Sequence, residues 1–243
     1  MTAPAIRWMF HTTAMIPDYD LACERLALLA GLRVLEYSEN EQPEIGRRGG
    51  MTWIGDNSIE LGQPIVDTGG AARFVARSGG GMHSVAVQVH DLDETMAHIE
   101  SLGIRIAAQP MPDFCFSDPR DTHGVFVEWA VFEIEEDPRF GAEVPPFTVD
   151  PLFDVEFHAF AGAIVENPEA TAELFVKLLG TDVTFDHPDA GGGEPRIGVS
   201  MGDCTLALYD MPGDDSDALW GRTYDRPRTH LLGLSVPDLG AVD

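Results

Sequence analysis

The chain is short of basic residues, of cysteine and of long apolar runs, and each shortage excludes something. Lysine and arginine together number 15 against 41 aspartates and glutamates, a formal net charge of -26 over 243 residues. A field of that sign repels phosphate, which argues against nucleic acid and anionic membrane surfaces as partners. No apolar run approaches the ~18 residues that a membrane-spanning helix needs. The opening MTAPAIRWMF lacks the apolar core and cleavage pattern of a signal peptide. The cysteines, Cys23, Cys115 and Cys204, stand far apart in no metal-binding spacing. No disulfide framework is expected, and a reducing cytoplasm is the expected location.

What is present is an ordinary globular composition, 44% hydrophobic, with length for one large domain or two small ones. The stretch from Gly79 to Ile104 shows how it is organised. Val85, Val87 and Val89 alternate with Ser84, Ala86 and Gln88, the period of a strand. Asp91 is an N-cap candidate, with Glu94 completing a possible capping box. Leu92, Met96, Ile99 and Leu102 then repeat at helical spacing, and Gly103 ends the helix.

The unit recurs. A strand at 7–16, a helix at 18–30 and a strand at 32–37 precede a polar loop, Ser38 to Arg48, and two strands turned at Gly55-Asp56-Asn57. That is one βαβββ module. A short helix within 66–78 leads to a second, which ends in VFVEWA. The acidic, proline-bearing stretch 133–153 reads as a linker. A third module follows, and a fourth begins at His230 and stops at Asp243. The expected domains are 1–132, built of two modules, and 154–243, incomplete at its C-terminus. The repeat period predicts about 40–50 further residues.

Paired βαβββ modules with a histidine in the first strand and a glutamate in the last resemble the vicinal oxygen chelate superfamily, that of glyoxalase, bleomycin-resistance proteins and dioxygenases. The segments carrying the resemblance are GDNSIEL, AARFVARSGGGMH and SDPRDTHGVFVEW, and they are most similar to the methylmalonyl-CoA epimerase branch. The resemblance implies an α+β fold, with curled eight-stranded mixed sheets, helices on the outer face and a divalent metal in the cup. Carried over by position, the metal ligands would be His11, Glu60 and Glu128, with Ser84 at the fourth ligand position. His11 lies seven residues before Asp18, and Ser84 lies seven before Asp91. His83 shares the parity of the valines and would need a bulge to serve. Imidazole with carboxylates suits Zn²⁺, Ni²⁺, Co²⁺, Mn²⁺ or Fe²⁺.

Glu60 between Ile59 and Leu61, and Glu128 between Val127 and Trp129, each face opposite to their apolar neighbours. Two such carboxylates repel unless a cation, a proton or a base sits between them. That need is the physical argument for a functional site. The same groups could do acid–base work without a metal. In the third module Phe160 and Ala207 fall where His11 and Glu60 fall, and Leu231 takes the remaining ligand position beside His230. His158 is two residues early. That module is expected to supply no ligand.

Three functions follow from the resemblance. The first is a metal-dependent isomerase, epimerase or lyase acting on a small oxygenated metabolite through an enolate, with Glu128 or Glu60 as base. The second is a metal-free sequestering protein of the bleomycin-resistance kind. The third is a ring-cleaving dioxygenase, which the ligand-poor third module disfavours. Ser84, Gln88 and Arg47 are candidate substrate contacts. Arg48, Arg73 and Arg77 could add a local positive field for an acidic ligand, and Glu41 and Glu44 could be additional bases. A homodimer is the one macromolecular partner that the resemblance implies.

Overall fold

The computed structural model describes residues 5–37, 46–55, 57–143, 151–190, 193–212 and 226–237. Glu41 and Glu44 lie outside them. The first module comprises β1 (Ile6–Met15), α1 (Tyr19–Ala30), β2 (Leu35–Glu36), β3 (Arg47–Ile54) and β4 (Asn57–Pro64). Helix α2 (Gly69–Ser78) leads to β5 (Gly81–Val89), α3 (Leu92–Ser101), β6 (Ile106–Met111), β7 (Phe114–Ser117) and β8 (Val127–Ala130). A 3-10 turn at Pro138–Phe140 lies within the expected linker. The third module is β9 (Phe157–Val165), α4 (Pro168–Leu179), β10 (Val183–Asp186), β11 (Ile197–Ser200) and β12 (Thr205–Asp210), followed by β13 (Arg228–Ser235). The α+β class and the repeated βαβββ order are as the sequence indicates.

Two elements differ. Arg47 and Arg48, expected in a loop, open β3, because the antiparallel ladder runs on to Arg47↔Pro64 and Arg48↔Gln63. The strand expected over 32–37 is shorter, pairing through Leu35↔Met51 and Glu36↔Gly50, with the Tyr37 N–H donating to the Gly49 carbonyl at 2.9 Å.

The helix starts obey capping chemistry. The side chains of Asp18, Asp91 and Asn167 accept hydrogen bonds from the backbone N–H of Leu21, Glu94 and Ala170. Each satisfies an amide that the first helical turn leaves without a partner. Asp91→Ala is expected to lower stability by about 1 kcal/mol, read from a urea melt.

Compactness groups the described residues into two units, one within Met1–Phe10, Ser84–Phe132 and Phe160–Leu232, the other within His11–His83, Glu133–Ala159 and Gly233–Asp243. In the second of these the strand order is β2-β3-β4-β1, with β1 parallel to β4 and the other pairs antiparallel. Met51, Trp53, Ile59 and Leu61 are among its buried side chains.

The other unit holds the orders β5-β8-β7-β6 and β10-β11-β12-β9-β13, with β5 parallel to β8 and β9 parallel to β12. Val85, Val87 and Val89 join Leu92, Ile99, Val127 and Trp129 in one apolar core. Phe175, Leu178 and Leu179 of α4 enter the same core, so the second and third modules bury their apolar faces together. His98 Nε2 donates to the Lys177 carbonyl at 3.1 Å across that junction. His123 Nδ1 stands 2.9 Å from Thr171 Oγ1.

Candidate functional site

The parallel pairing of β1 with β4 sets Thr13 directly against Glu60. Paired residues share a face of the sheet, and His11, two residues before Thr13, shares it too. The result is a cluster of buried polar side chains on one face of these strands. His11 is 1% exposed and Glu60 3%. Thr13 Oγ1 donates to Glu60 Oε2 at 3.0 Å, and His11 Nε2 stands 3.6 Å from the same oxygen.

The other carboxylate oxygen belongs to Arg47. Its guanidinium donates to Glu60 Oε1 at 2.6 Å. The β3–β4 register explains how it gets there. Met51 faces Glu60, and Gly49 faces Gly62 between that pair and Arg47. Two glycines side by side leave a trough. A Cβ at Gly62 would come within 2.9 Å of Met15 Sδ and 3.3 Å of Arg47 Cδ, so the arginine stem runs where a side chain would otherwise stand. Burial pushes the Glu60 carboxyl up, but the Arg47 charge, the neighbouring His11 and the Thr13 hydroxyl outweigh it. The group is held below its ordinary value and stays ionised.

His83 feels the same cluster. Burial first, then the Arg47 charge, lower its imidazole to about 4, against the opposing pull of Glu60. Its ring meets Phe74 of α2 edge-on, centroids 4.9 Å apart. His83 is therefore neutral at neutral pH.

The three modules repeat one register. Thr13 faces Glu60, Ala86 faces Glu128 and Gly162 faces Ala207. Thr13, Ala86 and Gly162 each stand five residues before the helix caps Asp18, Asp91 and Asn167. By that register Ser84 is the counterpart of His11, as counting along the sequence indicates, and His83 is not. Phe160 is the third counterpart, beside the apolar group of Ile164, Ala207, Tyr209 and Leu231.

Ser84, Gln88 and Glu128 lie in the other unit. Ser84 is 1% exposed and Glu128 4%. The Gln88 amide donates to the Phe132 carbonyl at 2.6 Å, which gives it a structural task. Glu128 sits against Phe116 in the β7–β8 ladder. Burial, and then the Glu128 charge, push the Cys115 thiol up to about 12. Trp129 beside it donates its indole N–H to Ser117 Oγ at 2.6 Å, which anchors β8.

The other arginines are placed differently from Arg47. Arg48 stacks over Tyr19, 4.4 Å from its ring centroid, and bridges Glu36 and Asp20 at 2.5 and 2.9 Å. Arg73 and Arg77 are exposed on α2. His158 is buried in β9 and His230 is half-buried in β13.

The donors around Glu60 do not fit a divalent ion. Both carboxylate oxygens already have partners, and one partner is a full positive charge. A second cation placed on this carboxylate would meet Arg47 at short range in a poorly screened interior. Among the described residues no group of at least three His, Cys, Asp or Glu side chains is placed to hold a metal ion. Sequence reading named Glu60 and His11 but missed Thr13 and Arg47 as their partners. The signal for Thr13 was its parity with His11; the signal for Arg47 was the pair of small residues, Gly49 and Gly62.

No helix among the described residues is long and apolar enough to cross a membrane. No curated protein matches the chain. A 4-hydroxymandelate synthase mutant from Streptomyces coelicolor is similar over 98% of this chain and 73% of its own, with a TM-score of 0.71 and 17% identity. Methylmalonyl-CoA epimerase from Mycobacterium tuberculosis is similar over 56% of this chain and 94% of its own, with a TM-score of 0.49 and 22% identity. At 17% identity the likeness to the 4-hydroxymandelate synthase speaks to fold alone. The model that matches residues 10–116 is that of the Glyoxalase/Bleomycin resistance protein/Dioxygenase superfamily. That match covers less than half of the chain, so the likeness to this superfamily is one of residues 10–116 alone.

Proposed function

We propose that the protein binds a small oxygenated molecule at the polar cluster of β1, β3 and β4, with no resident divalent ion, in the manner of a sequestering member of that superfamily. One observation carries this reading: Glu60 already has a countercharge, Arg47 on Oε1, while the Thr13 hydroxyl donates to Oε2. A buried imidazole, carboxylate and guanidinium are expensive to bury, and such clusters mark sites of function more often than of stability. Arg47 and the imidazoles offer donors for ligand oxygens.

A metal-dependent isomerase or epimerase working through an enolate is the second reading. It is favoured by the 3.6 Å approach of His11 Nε2 to Glu60 Oε2, an imidazole and a carboxylate converging from neighbouring strands. Elemental mass spectrometry on protein purified without chelator or nickel resin separates the two. A metal content far below one ion per chain is expected, together with thermal stabilisation by small hydroxy- or oxo-acids that is lost in Arg47→Ala. Stoichiometric metal that disappears in Glu60→Gln would instead establish the isomerase reading.

A further inference from the structure

We infer that Arg47 stands in for a divalent ion as the fixed countercharge of Glu60, and that taking away its charge converts His11 and Glu60 into a metal-binding pair. The inference rests on the metal-independent reading of the site, and its test separates the two.

Glu60 is almost wholly buried, and its Oε1 takes the Arg47 guanidinium at 2.6 Å, so a fixed positive partner meets it where water does not. That partner arrives from β3 through the trough at Gly49 and Gly62, on the sheet face that carries His11 and Thr13. The rest of the arrangement already has the form of a ligand pair. Thr13 fixes the rotation of the Glu60 carboxylate through Oε2, and His11 Nε2 stands 3.6 Å from that same oxygen, from two residues along β1. A hydroxyl that orients a carboxylate ligand is the usual support around a metal centre. Only the guanidinium at Oε1 is foreign to such a centre. Without it, the Glu60 carboxylate keeps the Thr13 hydroxyl on Oε2 and the His11 imidazole 3.6 Å away but loses its countercharge, the setting in which a divalent ion binds and stabilises the fold at once.

The experiment is calorimetric titration of Zn²⁺ alone into the full chain, as wild type, Arg47→Ala, Arg47→Gln, Arg47→Lys and Arg47→Ala with His11→Ala. Arg47→Gln removes the charge but keeps an amide that can still bond Glu60, which guards against a variant that simply unfolds. The expected result is Zn²⁺ binding tighter than wild type by on the order of tenfold or more in Arg47→Ala and Arg47→Gln. Arg47→Lys should resemble wild type, and His11→Ala should abolish the gain. An Arg47→Ala protein that is unfolded alone and folds on adding Zn²⁺ would support the inference equally. It is overturned, with the metal-independent reading intact, if wild type takes no Zn²⁺ and neither neutral variant binds it or folds with it. If wild type already binds one Zn²⁺ as tightly as Arg47→Ala, both the inference and the metal-independent reading fall.

Discussion

Arg47→Met is expected to destabilise the protein by roughly 3–5 kcal/mol, the usual loss when one partner of a buried ion pair is removed and the other is left charged. The size follows from where the pair stands. The side chain of Glu60 is 3% exposed and that of Arg47 11%, so water cannot take over the guanidinium's task. The loss should come from the stranded carboxylate and not from the missing arginine itself. Adding Glu60→Gln to Arg47→Met should therefore restore most of the stability, since a neutral amide still accepts from Thr13 and leaves no buried charge. Urea unfolding of wild type, the two single variants and the double variant closes the cycle. If Arg47→Met loses less than about 1 kcal/mol, the pair is behaving as a surface ion pair and the buried-site geometry is wrong.

The architecture was open to reading from the sequence because it is written several times over. Each module carries a strand of alternating apolar residues, a capping residue, an apolar stripe and a closing glycine, and each of these has a local cause. Repetition also made the register legible. The distance from strand to helix cap is set by a connection that the three modules share, which is why counting back from Asp91 reaches Ser84 and not His83. The edge strand β2 is shorter than the sequence indicates because its described pairing spans a short partner segment, Gly49–Met51.

Glu60 and His11 were legible as site residues, but the pairing of Glu60 with Arg47 was not. Glu60 announces itself as a charge between two apolar strand residues. Nothing in Arg47 itself says that it will turn toward Glu60. Its place depends on how far the β3–β4 ladder runs, and a polar stretch before Gly49 hides that end of the strand. The sequence argument leaves a cation, a proton or a base as what two inward carboxylates need; at Glu60 the structure supplies Arg47. The difference between a metal and a guanidinium at that point is a difference of register over a few residues, and periodicity alone does not resolve it.

The acid side of the stability profile is expected to carry two separable steps, and His83 governs the first. Its folded value, about 4, lies below the ordinary 6.5 of an imidazole. The unfolded chain therefore binds this proton more readily than the folded one between those two values. Stability rises with pH wherever the unfolded state holds more protons, so falling pH from 6.5 to 4 should remove roughly 2–3 kcal/mol through His83. Glu60 acts in the next window. Its folded value is lowered, so its contribution is present above the ordinary 4.5 and is lost as pH falls through the lower folded value. His83→Gln should flatten the profile between pH 6.5 and 4 and leave the drop below 4.5 in place. Glu60→Gln should do the reverse. Urea midpoints measured across pH 3–7 for the three proteins give the answer. If His83→Gln retains the wild-type slope above pH 4.5, protonation of His83 does not oppose folding. The burial of that ring against Phe74, beside Arg47, would then be weaker than its edge-on packing indicates.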